Sequence, residues 1–347
     1  MLGWYNKRGL SIMMNDDGFR QGGMTSAYLR HIGAFPKRKG AHDYRAMKTT
    51  LQELRNGRSV LIFPEGQTTW DGETQPIHAG VEKIVKRAKC GLVTVRIMGN
   101  FLTKPWWAET PRRGMTRMKF NSYFPEQIAE MSDSQLLDTM KTDIYQNDVK
   151  DPDNLAYPIT GKNLALGLER FVWICPNCLS EDRLATTGDN LTCRECDTTW
   201  RMDAHCRFEP APQPNGALLA DLKDLADWHR TEVRKRIQAW DRKNLLTSSD
   251  SVVRQRLGEQ GKFENVSTGV LRLANDAVRY ESQDGNSLTA PLSEIRDPVI
   301  QKKDVFEFAF DGQYHRFVFD HHSPMKWVFY LRYLNGYEEC EKTGILS

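Results

Sequence analysis

No apolar run in the 347 residues approaches the roughly 18–20 that a membrane-spanning helix needs. The opening Met1-Leu-Gly-Trp-Tyr-Asn-Lys-Arg-Gly-Leu10 has no apolar h-region and does not read as a signal peptide. Internal repeats and low-complexity tracts are missing too, which argues against a solenoid or a disordered chain. Cysteine is sparse: there are seven, four of them in two C-x-x-C pairs. That pattern argues against a disulfide framework and reads as metal binding in a reducing compartment. The expectation from these absences is a cytoplasmic protein that can still meet the inner face of a membrane as a peripheral component.

What is present is ordinary for a globular chain, with 39% hydrophobic and 27% charged residues. The length suits two or three domains. The charge is uneven. Residues 1–120 hold 21 Lys and Arg against 9 Asp and Glu, a surplus of 12, so the other 227 residues carry −9 of the net +3. A basic first part suits anionic partners: phospholipid headgroups, phosphorylated substrates, coenzyme A or nucleic acid.

Residues 1–150 alternate helical and strand patterns, which argues for an α/β layer fold. Tyr44, Met47, Leu51 and Leu54 share one helical face. Ser59-Val-Leu-Ile-Phe63 is an apolar run long enough for one buried strand. A helix is expected over 79–89, strands over 92–98 and 115–120, and a helix from Ser132 to about Tyr145, opened by a Ser132/Gln135 capping box. Pro210, Pro212, Pro214 and Gly216 mark a linker, and residues 217–247 read as a charged helical connector. From about 250 the pattern turns to alternating strands, including Val305–Phe310, an Asp311-Gly312 hairpin and Tyr314–Phe319, before a helix that starts at Ser323-Pro324. Strands closed by one helix over 250–347 resemble a pleckstrin-homology (PH) or GRAM-like module.

Cys175-Pro-Asn-Cys178 and Cys193-Arg-Glu-Cys196 are separated by fourteen residues. Two such knuckles place four thiolates tetrahedrally around one zinc ion, a closed and therefore structural site. A zinc ribbon is expected over 168–205, and loss of the metal should unfold it. His205 and Cys206 lie too far past the second knuckle to be needed as ligands. Cys90 and Cys340 carry no readable role.

Leu61-Ile-Phe-Pro-Glu-Gly66 ends a buried strand on a proline, a carboxylate and a glycine, and strand C-termini in α/β sheets are where ligands bind. Phe63-Pro-Glu-Gly66 resembles the third motif of the 1-acylglycerol-3-phosphate acyltransferases of the PlsC type. Gly33-Ala-Phe-Pro-Lys-Arg-Lys-Gly40, about thirty residues earlier, looks like their second motif. Asp71-Gly72 and Ala79-Gly80 also fit. The resemblance covers roughly residues 10–125 and implies an acyltransferase-like mixed sheet flanked by helices. It implies transfer of a fatty acyl group from acyl-CoA or acyl carrier protein to the hydroxyl of a lysophospholipid, in phospholipid biosynthesis. Arg38, with Lys37 or Lys39, would bind the acceptor phosphate; Gly33, Phe35, Phe63, Pro64, Glu65 and Gly66 would line the substrate site.

The family's catalytic His-x4-Asp does not occur upstream of Gly33: His31 is followed at that spacing by Pro36, and His42 by Met47. The family position falls at or before Met1. The expectation is a chain that begins late relative to its domain, leaving the strand-like Leu10–Met14 orphaned. The alternative is a relative that binds lipid or acyl-CoA without catalysis. Thr68 stands where the family often has an arginine, and Thr94 where it often has a proline, so the acceptor and the acyl pocket are open. The Trp106-Trp107 and Arg112-Arg113 cluster reads equally as a membrane-interface patch or a packed loop. His78 reads as capping or packing. A nucleic-acid-binding ribbon is a third reading, disfavoured because Asp182, Asp189, Glu195 and Asp197 balance the ribbon's arginines.

Overall fold

In the computed structural model, which describes residues 9–20, 23–38, 43–77, 79–258 and 263–336, the chain opens on a small parallel sheet. Strand β1 (Leu10–Asn15) lies between β2 (Ala34–Lys37) and β3 (Ser59–Leu61). Ile12 stands opposite both Ala34 and Leu61. Far from orphaned, Leu10–Met14 is the central strand, paired on both sides. Parallel neighbours require crossovers. Helices α1 (Asp17–Arg20) and α2 (Gly23–His31) make the first, and α3 (Tyr44–Arg55) the second.

Asp43 caps α3, its carboxylate accepting from the Arg45 and Ala46 N–H groups. The helix turns a different face inward from the one its apolar residues suggest: Ala46 and Thr50 are buried, while Tyr44 is 80% exposed. The two small side chains let the helix lie close to the strands, and the Thr50 hydroxyl donates back to the Ala46 carbonyl. Strand β3 stops at Leu61, two residues short of Phe63. Gly66, at φ +72°, closes a turn in which its N–H donates to the Phe63 carbonyl.

The expected single mixed sheet is divided. After α4 (Val81–Ala88), β4 (Leu92–Met98) pairs antiparallel with β5 (Arg117–Tyr123), apart from the first sheet. The short helix α5 (Asn100–Thr103) lies between these two strands, and α6 (Pro125–Glu130) and α7 (Asp133–Ile144) follow them. Strand β4 takes its partners from β5 and α7: Thr94 donates to Asp143, and Arg96 donates to the carbonyls of Thr142 and Asp143. The Ser132/Gln135 capping box forms as expected.

A four-stranded antiparallel sheet follows: β6 (Leu184–Thr187), β7 (Asn190–Cys193), β8 (Thr199–Met202) and β9 (Phe208–Glu209). It runs past residue 205 because β9 adds to its edge. The connector contains α8 (Leu222–Ala239), capped by Asp221. The C-terminal part comprises β10 (Leu245–Leu257), β11 (Phe263–Ala274), β12 (Ala277–Ser282), β13 (Ser287–Pro291), β14 (Arg296–Lys302), β15 (Val305–Phe310) and β16 (Gln313–Val318). These seven antiparallel strands are ordered β13-β12-β11-β10-β16-β15-β14. Helix α9 (Pro324–Leu334), capped by Ser323, closes the sheet with Trp327, Phe329 and Leu331 buried. One continuous apolar core runs from Trp70 and Trp107 through Phe171 and Trp173 to Phe306, Phe317 and Trp327.

Candidate functional site

The two motif-bearing segments meet the same end of the parallel sheet. Lys37 ends β2 level with Asn15, and Glu65 lies four residues beyond the end of β3. The two strands flank β1 about 10 Å apart, with β3 ending opposite Ile12 and β2 running three residues further, to a position opposite Asn15. Gly33 and Phe35 serve the sheet itself. The Ile12 N–H donates to the Gly33 carbonyl, Gly33 has φ +81°, and a Cβ there would lie 2.7 Å from the Leu10 carbonyl oxygen. Phe35 is buried. Burial draws the Lys37 ammonium below its ordinary pKa, opposed by Asp43 and Asp16. Arg38 is exposed, its N–H donating to Asp43. Phe63 is exposed too, while Pro64, Glu65 and Gly66 are half-buried. Burial pushes the Glu65 carboxyl up to about 7, even though the Gln75 N–H donates to it at 2.6 Å. A half-buried carboxyl that changes charge near neutrality, in the turn beyond a strand end, suits a ligand that offers hydroxyl groups.

The C-terminal sheet docks beside this strand end, a contact with no local sequence signal. Arg316 of β16 donates to Asp17 at 3.0 Å and to Glu307 at 3.1 Å. Arg20 donates to Glu307 at 3.1 Å, and Asn15 to Gln301 at 2.9 Å. The Arg316 guanidinium sits 3.8 Å from the centre of the Phe263 ring. Glu307 is fully buried and pairs with both of these arginines. The Asp16 N–H donates to the Lys37 carbonyl, tying the cluster to the second motif.

Residues 1–98 match the family model described as Acyltransferase. The match supports acyl transfer as the chemistry of this segment. No curated protein and no solved structure matches the chain. The matched residues include all of the second-motif and third-motif positions described above. Lys39, Gly40, His42, His78 and Cys340 lie outside the described residues.

The spacing of the acyltransferase His-x4-Asp motif occurs once among the eight histidines, at His315 and Asp320. Those side chains part company. The His315 ring is buried, with its nitrogens 3.5 Å from an Arg254 nitrogen and 3.3 Å from the Phe310 carbonyl. Asp320 is exposed beside His321. The Trp106-Trp107 cluster is a packed loop in its main residues. Trp107 is fully buried and donates to the Trp70 carbonyl; Arg112 is buried and donates to the carbonyls of Leu164 and Ala204.

The four expected cysteines come together. Cys175 Sγ lies 3.8 Å from Cys196 Sγ, Cys178 Sγ lies 3.7 Å from Cys193 Sγ, and all four fall within 4.8 Å of one another. A tetrahedral ion at about 2.3 Å from each sulfur requires edges of about 3.8 Å, so the set fits one metal ion. Each knuckle closes the same way. The Cys175 N–H donates to the Ser180 carbonyl and the Cys193 N–H to the Thr198 carbonyl, with Leu179 and Asp197 in left-handed conformations. Backbone N–H groups of Asn177 and Cys178 point at Cys175 Sγ, and the Asn177 amide and Thr198 hydroxyl at Cys196 Sγ, all favouring thiolate. His205 and Cys206 stand apart: His205 contacts the Tyr157 carbonyl, and Cys206 is buried against Arg112.

The four-cysteine segment is embedded. Trp173 packs edge-on to His229 of α8 and Phe329 of α9, with ring centres 4.1 and 5.4 Å away. Burial holds His229 neutral, so its Nε2 accepts the Trp173 and Ile174 N–H groups. Glu181 accepts from the hydroxyls of Tyr330 and Thr247, and Asp182 from Lys326.

Proposed function

We propose that the chain is a peripheral membrane enzyme that transfers a fatty acyl group from acyl-CoA or acyl carrier protein to a lysophospholipid hydroxyl, such as that of 1-acylglycerol-3-phosphate. The observation that carries this reading is the placement of Lys37 and Arg38 on one flank of β1 and of Glu65 and Gly66 on the other, at one end of one sheet, within the segment matching the acyltransferase model. Lys37 and Arg38 bind the acceptor phosphate, and Glu65 with Gly66 lines the glycerol side. The thioester is attacked by the acceptor hydroxyl, whose proton passes to a base; in the resembled family a histidine of His-x4-Asp fills that role.

The ribbon holds one structural zinc through Cys175, Cys178, Cys193 and Cys196. The seven-stranded sheet closed by α9 supports a PH-like reading of the C-terminal part. Among the described residues no helix is long and apolar enough to cross a membrane. Exposed Met24, Tyr28 and Tyr44, on the segment that carries the positive surplus, support contact with an anionic bilayer. The test is acyl transfer from acyl-CoA to lysophosphatidate by this chain. Product supports the reading. No product, with acyl-CoA or lipid still bound, supports the non-catalytic alternative.

A further inference from the structure

Glu65 is held by a loop that its own segment does not complete. Residues 69–75 are organised around Asp71, a fully buried carboxylate. One of its oxygens accepts from the Thr69 hydroxyl and the Glu73 N–H, and Thr69 in turn accepts from the Gly72 N–H. At the far end of the loop the Gln75 N–H donates to Glu65. The loop has no slack. Gly72 has φ +88°, and a Cβ there would lie 2.9 Å from both Phe101 and Val149.

The other Asp71 oxygen is satisfied from a distant element. Arg230 of α8 donates to it at 2.6 Å, and the Lys223 ammonium stands 3.5 Å away. Lys223 also pairs with Glu73 at 3.0 Å. Against its complete burial, these two cations hold Asp71 below the usual carboxylate range. A second face of the same helix grips the four-cysteine segment. His229 accepts from the two residues leading into the first knuckle, and Arg236 donates to the Leu179 carbonyl and pairs with Glu181 at 3.7 Å. Positions 223 and 230 therefore face the acyltransferase loop, while 229 and 236 face the ribbon, on one rigid rod.

We infer that Arg230 and Lys223 are positioning residues for Glu65, so that the carboxylate beyond β3 depends on the ribbon and its metal through α8. The inference rests on the acceptor-site reading of Glu65. Without Arg230 the buried Asp71 charge has lost its closest partner, and the loop must open to hydrate it. The Gln75 N–H then leaves Glu65. Placement of this kind works through discrete packed contacts, here a chain of four: ribbon, His229 and Arg236, Arg230, then Asp71.

The test uses the full metal-loaded chain and the variants R230M, R230K and D71N/R230M. The double variant removes the buried charge together with its partner, and so remains informative where R230M alone fails to fold. Amide hydrogen exchange is followed at Gly72, Glu73 and Gln75, with Leu191 and Phe306 as controls. In R230M, exchange at the three loop amides is expected to rise by about tenfold or more with the controls unchanged, and in the double variant, which has no buried charge to hydrate, to rise by less. The Glu65 carboxyl, followed by carbon NMR, is expected to titrate higher as it loses the Gln75 N–H, which favours its charged form, and R230K to restore both readouts. Chelation of the metal is expected to loosen the same three amides. Unchanged loop exchange in both R230M and the double variant, or a Glu65 midpoint that does not move, overturns the inference. Acyl transfer is read on the same samples. Its absence from the wild type as well sinks the acyltransfer reading, while the exchange data still decide whether α8 holds the loop.

Discussion

Removing the ribbon metal is the perturbation with the largest expected consequence. Each thiolate in Cys175, Cys178, Cys193 and Cys196 is within 4.8 Å of the other three, so without a cation the site is four crowded sulfurs. Structural zinc in small modules contributes roughly 10–16 kcal/mol at neutral pH. Whole domains are stable by only about 5–15 kcal/mol. Leu191, Trp200, Met202 and Phe208 of this sheet belong to the main apolar core, but the two knuckles that bring the sulfurs together would be held by the ion. Substituting Cys175 or Cys196 by serine, or chelating the zinc, should therefore unfold residues 173–209. The loss should spread, because Trp173 and Glu181 are shared with α8 and α9. The assay is metal content per chain together with hydrogen exchange at Leu191 and Cys193. The expected values are one zinc per chain and protected amides that exchange freely after chelation. A zinc-supplied protein that binds no metal, or a serine variant with wild-type protection, would refute the reasoning.

Three further outcomes follow from buried charge and close approach. Glu65 titrates near 7 in the folded chain against an ordinary 4.5, so the folded state holds its proton more tightly. Its contribution to stability is full below about pH 4.5 and is lost as pH rises through about 7. The loss is roughly 3 kcal/mol, from 1.36 kcal/mol per pKa unit. E65Q should then be more stable than wild type at pH 8 and equal near pH 4 in urea titrations; parallel curves would contradict the shift. R316M leaves Glu307 buried with one cation fewer. It should cost about 3–5 kcal/mol by denaturation, and a cost under about 1 kcal/mol would show that the domain contact is not built on this pair. Gly33→Ala places a Cβ 2.7 Å from the Leu10 carbonyl oxygen at φ +81°. It should destabilise by about 1–3 kcal/mol in thermal melts, and an unaltered melting temperature would rule out the close approach.

The four-cysteine cluster was the most legible feature, because its sulfurs come from two local knuckles whose spacing is itself the geometry. The strands and capped helices of the C-terminal part were legible for the same reason: alternation, Asp311-Gly312 and Ser323-Pro324 are local signals. The α3 face was misread because two small residues, Ala46 and Thr50, set its approach to the strands in place of the larger apolar ones. The division of the first sheet was hidden because β4 is tied to α7 by Thr94 and Arg96, which donate to the Asp143 carboxylate and to the Thr142 and Asp143 carbonyls, contacts with no local signal. Least legible were the contacts that surround the candidate site. Asp17 and Arg316 are 299 residues apart, and Asp71 and Arg230 are 159 apart. In the sequence Arg20, Lys223, Arg230 and Glu307 look like ordinary surface charges. Only the fold brings their partners to them and buries the result.

Acyl transfer itself remains the most direct measurement. Lysophosphatidate and labelled acyl-CoA are given to the chain, alongside R38A and E65Q. The account predicts diacyl product, a higher acceptor KM in R38A, and a loss of product in E65Q with the fold intact. Product formation indifferent to both substitutions, or no product from any form with no lipid or acyl-CoA bound, would contradict it.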